Sequence, residues 1–272
     1  MERSRKCRWD GFFKFFIVRI LDGRHLLIKL RLNKLEGFAK ELENQFLNEP
    51  VFASMSIEER LLLCIEAQET YAKQRRCATL IKNAKFKDNL RMSDLTLTKE
   101  YGLTDQIKAS ITSLQWVNKG VNILVTGACG VGKTALINAI GYNCCNNGIT
   151  VKNFRTSDLF ENLSQMTALG KHRFKESLKR TKVLILDDFA ITPFNEEQRK
   201  DLFDIIDDRQ KIGSTIIASQ LKKATIQKVF GNDAKGESSY DRFINPCIEI
   251  ILQGESRRTA EGEKRKQEAL AL

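Results

Sequence analysis

Residues 127–134 read Gly-Ala-Cys-Gly-Val-Gly-Lys-Thr, a G-x-x-x-x-G-K-[ST] octet in which each position has a chemical use. Gly127, Gly130 and Gly132 let the backbone turn tightly enough for successive N–H groups to face one anion. Ala128, Cys129 and Val131 complete that loop. Lys133 brings a cation within reach of β- and γ-phosphates, and Thr134 places a hydroxyl where Mg²⁺ would sit. A second acidic group follows. The apolar run from Val183 to Leu186 leads straight into Asp187-Asp188. A buried strand ending in acid is where a phosphate-binding loop of this kind finds its second Mg²⁺ contact, so Asp187 is the expected metal partner, through water. Asp188 is then placed to orient or deprotonate an attacking water. Ser219-Gln220 closes another apolar run, and the Gln220 amide is expected beside the terminal phosphate. Arginines at 242, 257 and 258 follow, and spacing alone assigns none of them.

These groups need elements to hold them. Val121–Thr126 reads as a short buried strand before the loop, and 135–144 as a helix opening onto it. Further strands are expected at 150–154, 182–186, 214–218 and 247–252. Between them, helices are expected from Asp158 to Leu169, capped by Ser157, and up to Lys211, capped by Asn195 with Gln198. Strands alternating with helices imply a doubly wound parallel α/β sheet, with ligand at the carboxyl ends of the strands. Ahead of this lie amphipathic helices over 34–47 and from a Ser56/Glu59 capping box onward, and a helix from Thr104 to Trp116. The expected organisation is an extension (1–30), a helical N-terminal domain (31–100), an α/β domain (101–258) and a charged tail (259–272).

The formal net charge of +11 points to a polyanionic partner, nucleic acid first. Lys73, Arg75, Arg76, Lys82, Lys85, Lys87 and Arg91 form a basic run opposed only by Asp88, suited to phosphate-backbone contact without sequence choice. The seven cysteines show no metal-ligand spacing and read as reduced thiols in a cytoplasmic protein. Phe12–Leu21 is apolar but is interrupted by Lys14 and Arg19 and is too short to span a bilayer, so no membrane partner is expected. An Asn/Thr-Lys-x-Asp motif for guanine is not found, which disfavours a GTPase.

Taken in order, the chain resembles the IstB-like family, AAA+ helper ATPases of insertion-sequence transposition related to DnaC-type helicase loaders. The likeness runs from near Leu30 to about Arg258. It rests on Leu32–Ala39, Ser56–Leu61, Ala84-Lys-Phe, Leu114–Leu124, the phosphate loop, Leu184–Phe189, Gly213–Gln220, Asp241-Arg-Phe and Gly254–Arg258. What it implies is a P-loop AAA+ domain binding ATP and Mg²⁺. Lys133 and Thr134 match the Walker A pair, Asp187 and Asp188 the Walker B acids, and Gln220 sensor 1. Arg242 matches an arginine finger acting on the neighbouring subunit's ATP, and Arg258 matches sensor 2, with Arg257 one residue away. The likeness further implies a homo-oligomer on duplex DNA and a transposase partner, with a helicase loader or a weakly hydrolysing scaffold as alternatives. The chain departs from the commoner pattern at Ala128-Cys129, at Asp188 in place of Glu, and at Ala190 in place of Gly.

Overall fold

The computed structural model describes residues 23–256, apart from 88, 89, 96, 98 and 232, together with 266, 267 and 269. The chain divides into two compact units, one up to Arg76 and one from Cys77.

The first unit is helical. Helix α1 (residues 23–32) leads into α2 (Glu36–Leu47), a short α3 (Glu49–Phe52) and α4 (Ile57–Ala84) as far as Arg76. Residues 23–30 of the expected extension therefore lie in a helix. The α4 start carries the anticipated capping box, with Ser56 Oγ accepting from Glu59 N and Glu59 accepting from Ser56 N. Helices α2 and α4 run antiparallel. Gln45 donates to the Arg60 carbonyl, and Gln68 accepts from the N–H groups of Gly37 and Phe38 at the start of α2. Glycine is required at 37, because a Cβ there would lie 2.6 Å from the Ala67 carbonyl oxygen.

The second unit begins within α4. It takes in Leu80, Ile81, Ala84, Phe86, Met92, Leu95 and Leu97, which pack into the core with the sheet. Five strands, β1 (Asn122–Gly127), β2 (Val151–Arg155), β3 (Val183–Asp187), β4 (Ser214–Ser219) and β5 (Cys247–Leu252), form one parallel sheet in the order β2-β3-β4-β1-β5. Central strands β1, β3 and β4 are apolar on both faces, as a sheet covered on both sides demands. One face (Ile123, Val125, Ile185, Ile216) packs with α5 (Asp105–Thr112), α6 (Gln115–Asn118) and α7 (Lys133–Asn146). The other (Leu124, Leu184, Leu186, Ile217) packs with α8 (Thr156–Ser164), α9 (Ala168–Arg180), α10 (Glu196–Arg209), α11 (Lys223–Phe230) and α12 (Ala234–Ile244).

The helices depart from the sequence reading in specific ways. The helix expected over 104–116 breaks after Thr112, since Leu114 adopts φ +58° and Trp116 Nε1 turns back to donate to the Ile111 carbonyl. Ser157 does not cap a helix. β2 runs directly into α8 with Arg155 as the flanking residue, and Ser157 Oγ donates to Asp158. That helix stops at Ser164, and Thr167 caps a separate α9 by accepting from Gly170 N. The Asn195/Gln198 capping box is present as expected, and α10 ends at Arg209 rather than Lys211.

Candidate functional site

The phosphate loop lies between the end of β1 and the start of α7. Gly130 and Gly132 take φ +80° and +102°, left-handed conformations open to glycine. At Gly130 space is also short, because an added Cβ would stand 2.1 Å from Ser256 Oγ. The N-terminus of α7 faces the loop, so its unpaired N–H groups and the helix dipole favour an anion there. Lys133 is buried, and its Nζ donates to the carbonyls of Gly127 (2.9 Å) and Ala128 (2.7 Å).

The strand-ending acids complete the floor. Thr134 Oγ1 donates to Asp187 Oδ2 at 3.0 Å, which joins the loop hydroxyl to the acid at the end of β3. Asp187 is buried, and burial followed by the neighbouring Asp188 charge raises its carboxyl above the ordinary range. A hydroxyl and a carboxylate so close form a hard oxygen pair that suits Mg²⁺, which takes one or two carboxylates and completes its shell with phosphate and water. Asp188 turns sharply (φ +52°), with its N–H donating to Asp187 Oδ1. Ala190 also sits at positive φ, +56°, the conformation for which a glycine would be preferred.

A cavity of about 540 Å³ gathers these groups, with Cys129, Gly130, Gly132, Lys133, Thr134, Asp188 and Gln220 in its wall. Of the residues picked from the sequence for the nucleotide, these are thus brought together at one place. Gln220 follows β4 directly. The loop there is tied to the acidic loop by Ser219 Oγ donating to the Phe189 carbonyl and Phe189 N donating to the Ala218 carbonyl. Arg242 does not line this cavity. It lies on α12, where Nη1 pairs with Asp207 of α10 at 2.7 Å. Arg257 and Arg258 fall outside the described residues.

Two residues of the site were not found from sequence. Arg155, the last residue of β2, donates from Nε to Asp188 Oδ2 at 2.9 Å and stands half exposed at the cavity wall. No motif marks it; only the pairing of β2 with β3, with Arg155 opposite Asp187, sets it beside the acids. Lys87, which the sequence groups with the basic run, also lines the cavity, and its charge offsets a small part of the rise at Asp187. The other members of the run are exposed. On α4, helical spacing puts Arg75 and Lys82 on one side and Lys73 and Arg76 on another, so the run is not a single stripe.

A five-stranded parallel sheet in this order, with a phosphate loop after β1 and acids after β3, defines a P-loop AAA+ domain. Solved structures agree in fold. The DnaC helicase loader matches 61% of this chain and 97% of its own at TM-score 0.51 and 21% identity. AMPPCP-bound DnaA from Aquifex aeolicus matches 67% of this chain and 56% of its own at TM-score 0.52 and 20% identity. The model of the family of IstB-like ATP binding proteins matches residues 26–267, and the chain belongs to that family. Among its relatives is a protein of Sinorhizobium fredii named as an insertion-sequence ATP-binding protein, 30% identical over 88% of this chain and 97% of its own. Another, named for insertion sequence IS1162 of Pseudomonas fluorescens, is 34% identical over 82% and 94%. Among the described residues, no helix is long and apolar enough to cross a membrane, and no group of three or more His, Cys, Asp or Glu could hold a metal by itself.

Proposed function

We propose that this chain is a cytoplasmic ATP-hydrolysing helper of transposition, which assembles on duplex DNA and assists a transposase in target DNA selection or capture. The observation that carries hydrolysis is the convergence of Lys133, Thr134, Asp188 and Gln220 on one cavity, with Asp187 bonded to Thr134 behind them. ATP would lie with its phosphates on the 127–134 backbone. Mg²⁺ held through Thr134 and Asp187 would neutralise charge on the β- and γ-oxygens. Asp188 would orient and deprotonate water, and Gln220 would fix its approach. Arg242 stands on α12, away from this cavity, which fits a finger reaching the ATP of a neighbouring copy. Under that reading the assembly, not the single chain, is the working ATPase. The relatives' insertion-sequence names favour the transposition setting over helicase loading.

One observation supports a second reading, a scaffold that holds ATP and DNA but turns over slowly: Asp188 is short and already paired with Arg155. Turnover by the purified full chain, with and without duplex DNA, at two protein concentrations, separates the two. Turnover that DNA stimulates, that rises faster than linearly with protein, and that disappears in Lys133→Ala and Arg242→Ala supports the helper ATPase. ATP binding without turnover in every condition would leave the scaffold.

A further inference from the structure

Helix α10 carries carboxylates on two sides, most of them turned to α9, with Asp204 also reaching Lys235 of α12 at 3.7 Å. Glu197, Asp201, Asp204 and Asp208 meet the lysine row of α9. Lys171 reaches Glu197 and Asp201, Lys175 reaches Asp201 and Asp204, and Lys179 reaches Asp208. Asp207 is turned the other way, toward α12. Its Oδ1 accepts from Ser239 Oγ at 3.1 Å and its Oδ2 pairs with Arg242 Nη1 at 2.7 Å. Both oxygens are therefore engaged by one helix, three residues apart along it. Ser239 is fully buried, so one oxygen is anchored in the packed interface while the other holds the guanidinium at its edge. Lys235, one turn earlier on α12, lies over the Phe203 ring of α10, which keys the two helices at a second point.

Only Nη1 of Arg242 is taken by Asp207, and a guanidinium has further donors to offer. Arg242 also lines a cavity of about 230 Å³ whose wall includes Lys119, Arg209 and Lys211 and, among the described residues, no carboxylate. A partly exposed ion pair adds little to stability, so strengthening the fold is a weak reason for Asp207 to be there. Fixing a long, rotamer-rich side chain at a cationic cavity is a better one.

We propose that Asp207 is the positioning residue for Arg242, holding its guanidinium in the orientation that meets the γ-phosphate of the neighbouring copy. This rests on Arg242 acting as a finger in trans. The acid touches neither substrate nor metal and works only through Arg242. Losing the whole finger would cost about three to five orders of magnitude in rate. Letting it wander by about an ångström would cost tenfold to a hundredfold.

The test is steady-state ATP hydrolysis by the full chain on duplex DNA, for Asp207→Ala, Asp207→Asn and Arg242→Ala, alone and in equimolar mixtures. Asp207→Ala is expected to lower kcat by about tenfold to a hundredfold with the KM for ATP unchanged, because the ATP cradle is untouched. Asp207→Asn keeps an oxygen for Arg242 and an amide for Ser239 and should stay within about threefold of wild type. Mixing Asp207→Ala with Asp188→Asn, whose own site is dead but whose finger is intact, should raise turnover above the sum of the two. Mixing it with Arg242→Ala should not. Turnover by Asp207→Ala at or above the wild-type rate overturns the role of Asp207. So does a slow Asp207→Ala that Asp188→Asn fails to rescue while rescuing Arg242→Ala. If Arg242→Ala itself is not rescued by Asp188→Asn, the finger in trans falls, and the role of Asp207 falls with it. Thermal melting of each variant confirms that the fold is kept.

Discussion

In the proposed mechanism, the ion pair between Arg155 and Asp188 limits what that acid can do to water before any partner arrives. Asp188 has only one methylene, and one of its oxygens already accepts from Arg155. The arginine is half exposed, so the pair is worth no more than about 1 kcal/mol, or about fivefold in a rate. Arg155→Ala is therefore expected to raise DNA-independent turnover, up to about fivefold. A fall instead would mean that Arg155 orients Asp188 rather than withholding it. The thiols give a second test at this scale. Burial pushes Cys144 far up and Cys145 up to about 12, so both stay protonated and unreactive at ordinary pH. Cys129 is exposed in the wall of the nucleotide cavity. Maleimide treatment at about pH 8 followed by peptide mass mapping should show Cys129 modified and Cys144 and Cys145 spared. Saturating ATP should slow the reaction at Cys129. Equal labelling with and without ATP would separate Cys129 from the phosphate loop's function.

At the scale of elements, α9, α10 and β4 are held together by one side chain. Arg209 is almost fully buried at the end of α10 and donates to the carbonyls of Leu178, Thr181 and Ser214 and to Thr215 Oγ1. At the end of α9 it caps the Thr181 carbonyl and gives the Leu178 carbonyl, which also accepts from Thr181 N, a second donor. Arg209→Met would fill much of the volume and take the guanidinium's bonds from the Thr181 and Ser214 carbonyls and Thr215 Oγ1, at about 1–3 kcal/mol each where water cannot enter. Its urea midpoint should fall by the equivalent of about 3 kcal/mol or more. A smaller loss would mean that water reaches those carbonyls. This same corner shows where the sequence stops being readable. The strands announce themselves, because Val183–Leu186 and Ser214–Ala218 are buried on both faces and need unbroken apolar runs. Helix α9 does not, because the row it turns to α10 is Lys171, Lys175 and Lys179, paired with acids instead of packed with aliphatics. The break at Leu114 is hidden for another reason: leucine carries no signal for a positive φ. In the site, the phosphate loop, Asp187, Asp188 and Gln220 were legible as motifs at strand ends. Arg155 and Lys87 were not, because strand pairing and chain packing, not spacing, bring them to the cavity.

For the molecule as a whole, the proposed function divides the net charge of +11 between two phosphate ligands, a nucleotide and a duplex. Lys87 lines the nucleotide cavity, whereas Lys73, Arg75 and Arg76 are exposed on α4 and have no part in it. The two groups should therefore separate in solution. Each phosphate neutralised by a side chain contributes about 0.9 to the slope of log K against log salt for duplex DNA. Replacing Lys73, Arg75 and Arg76 together by Ala should reduce that slope by about 2 to 3 and weaken binding evenly across sequences, while nucleotide affinity stays unchanged. Lys87→Ala should do the reverse, weakening nucleotide binding with the salt slope intact. Fluorescence anisotropy with a labelled duplex between about 50 and 200 mM salt, beside a titration with fluorescent ATP, reads both quantities. If the triple variant keeps the wild-type slope, the duplex lies on another face, and the positive charge of α4 is a solvated surface. If Lys87→Ala instead lowers the slope, the duplex comes close enough to the nucleotide cavity for the two ligands to compete for one cation.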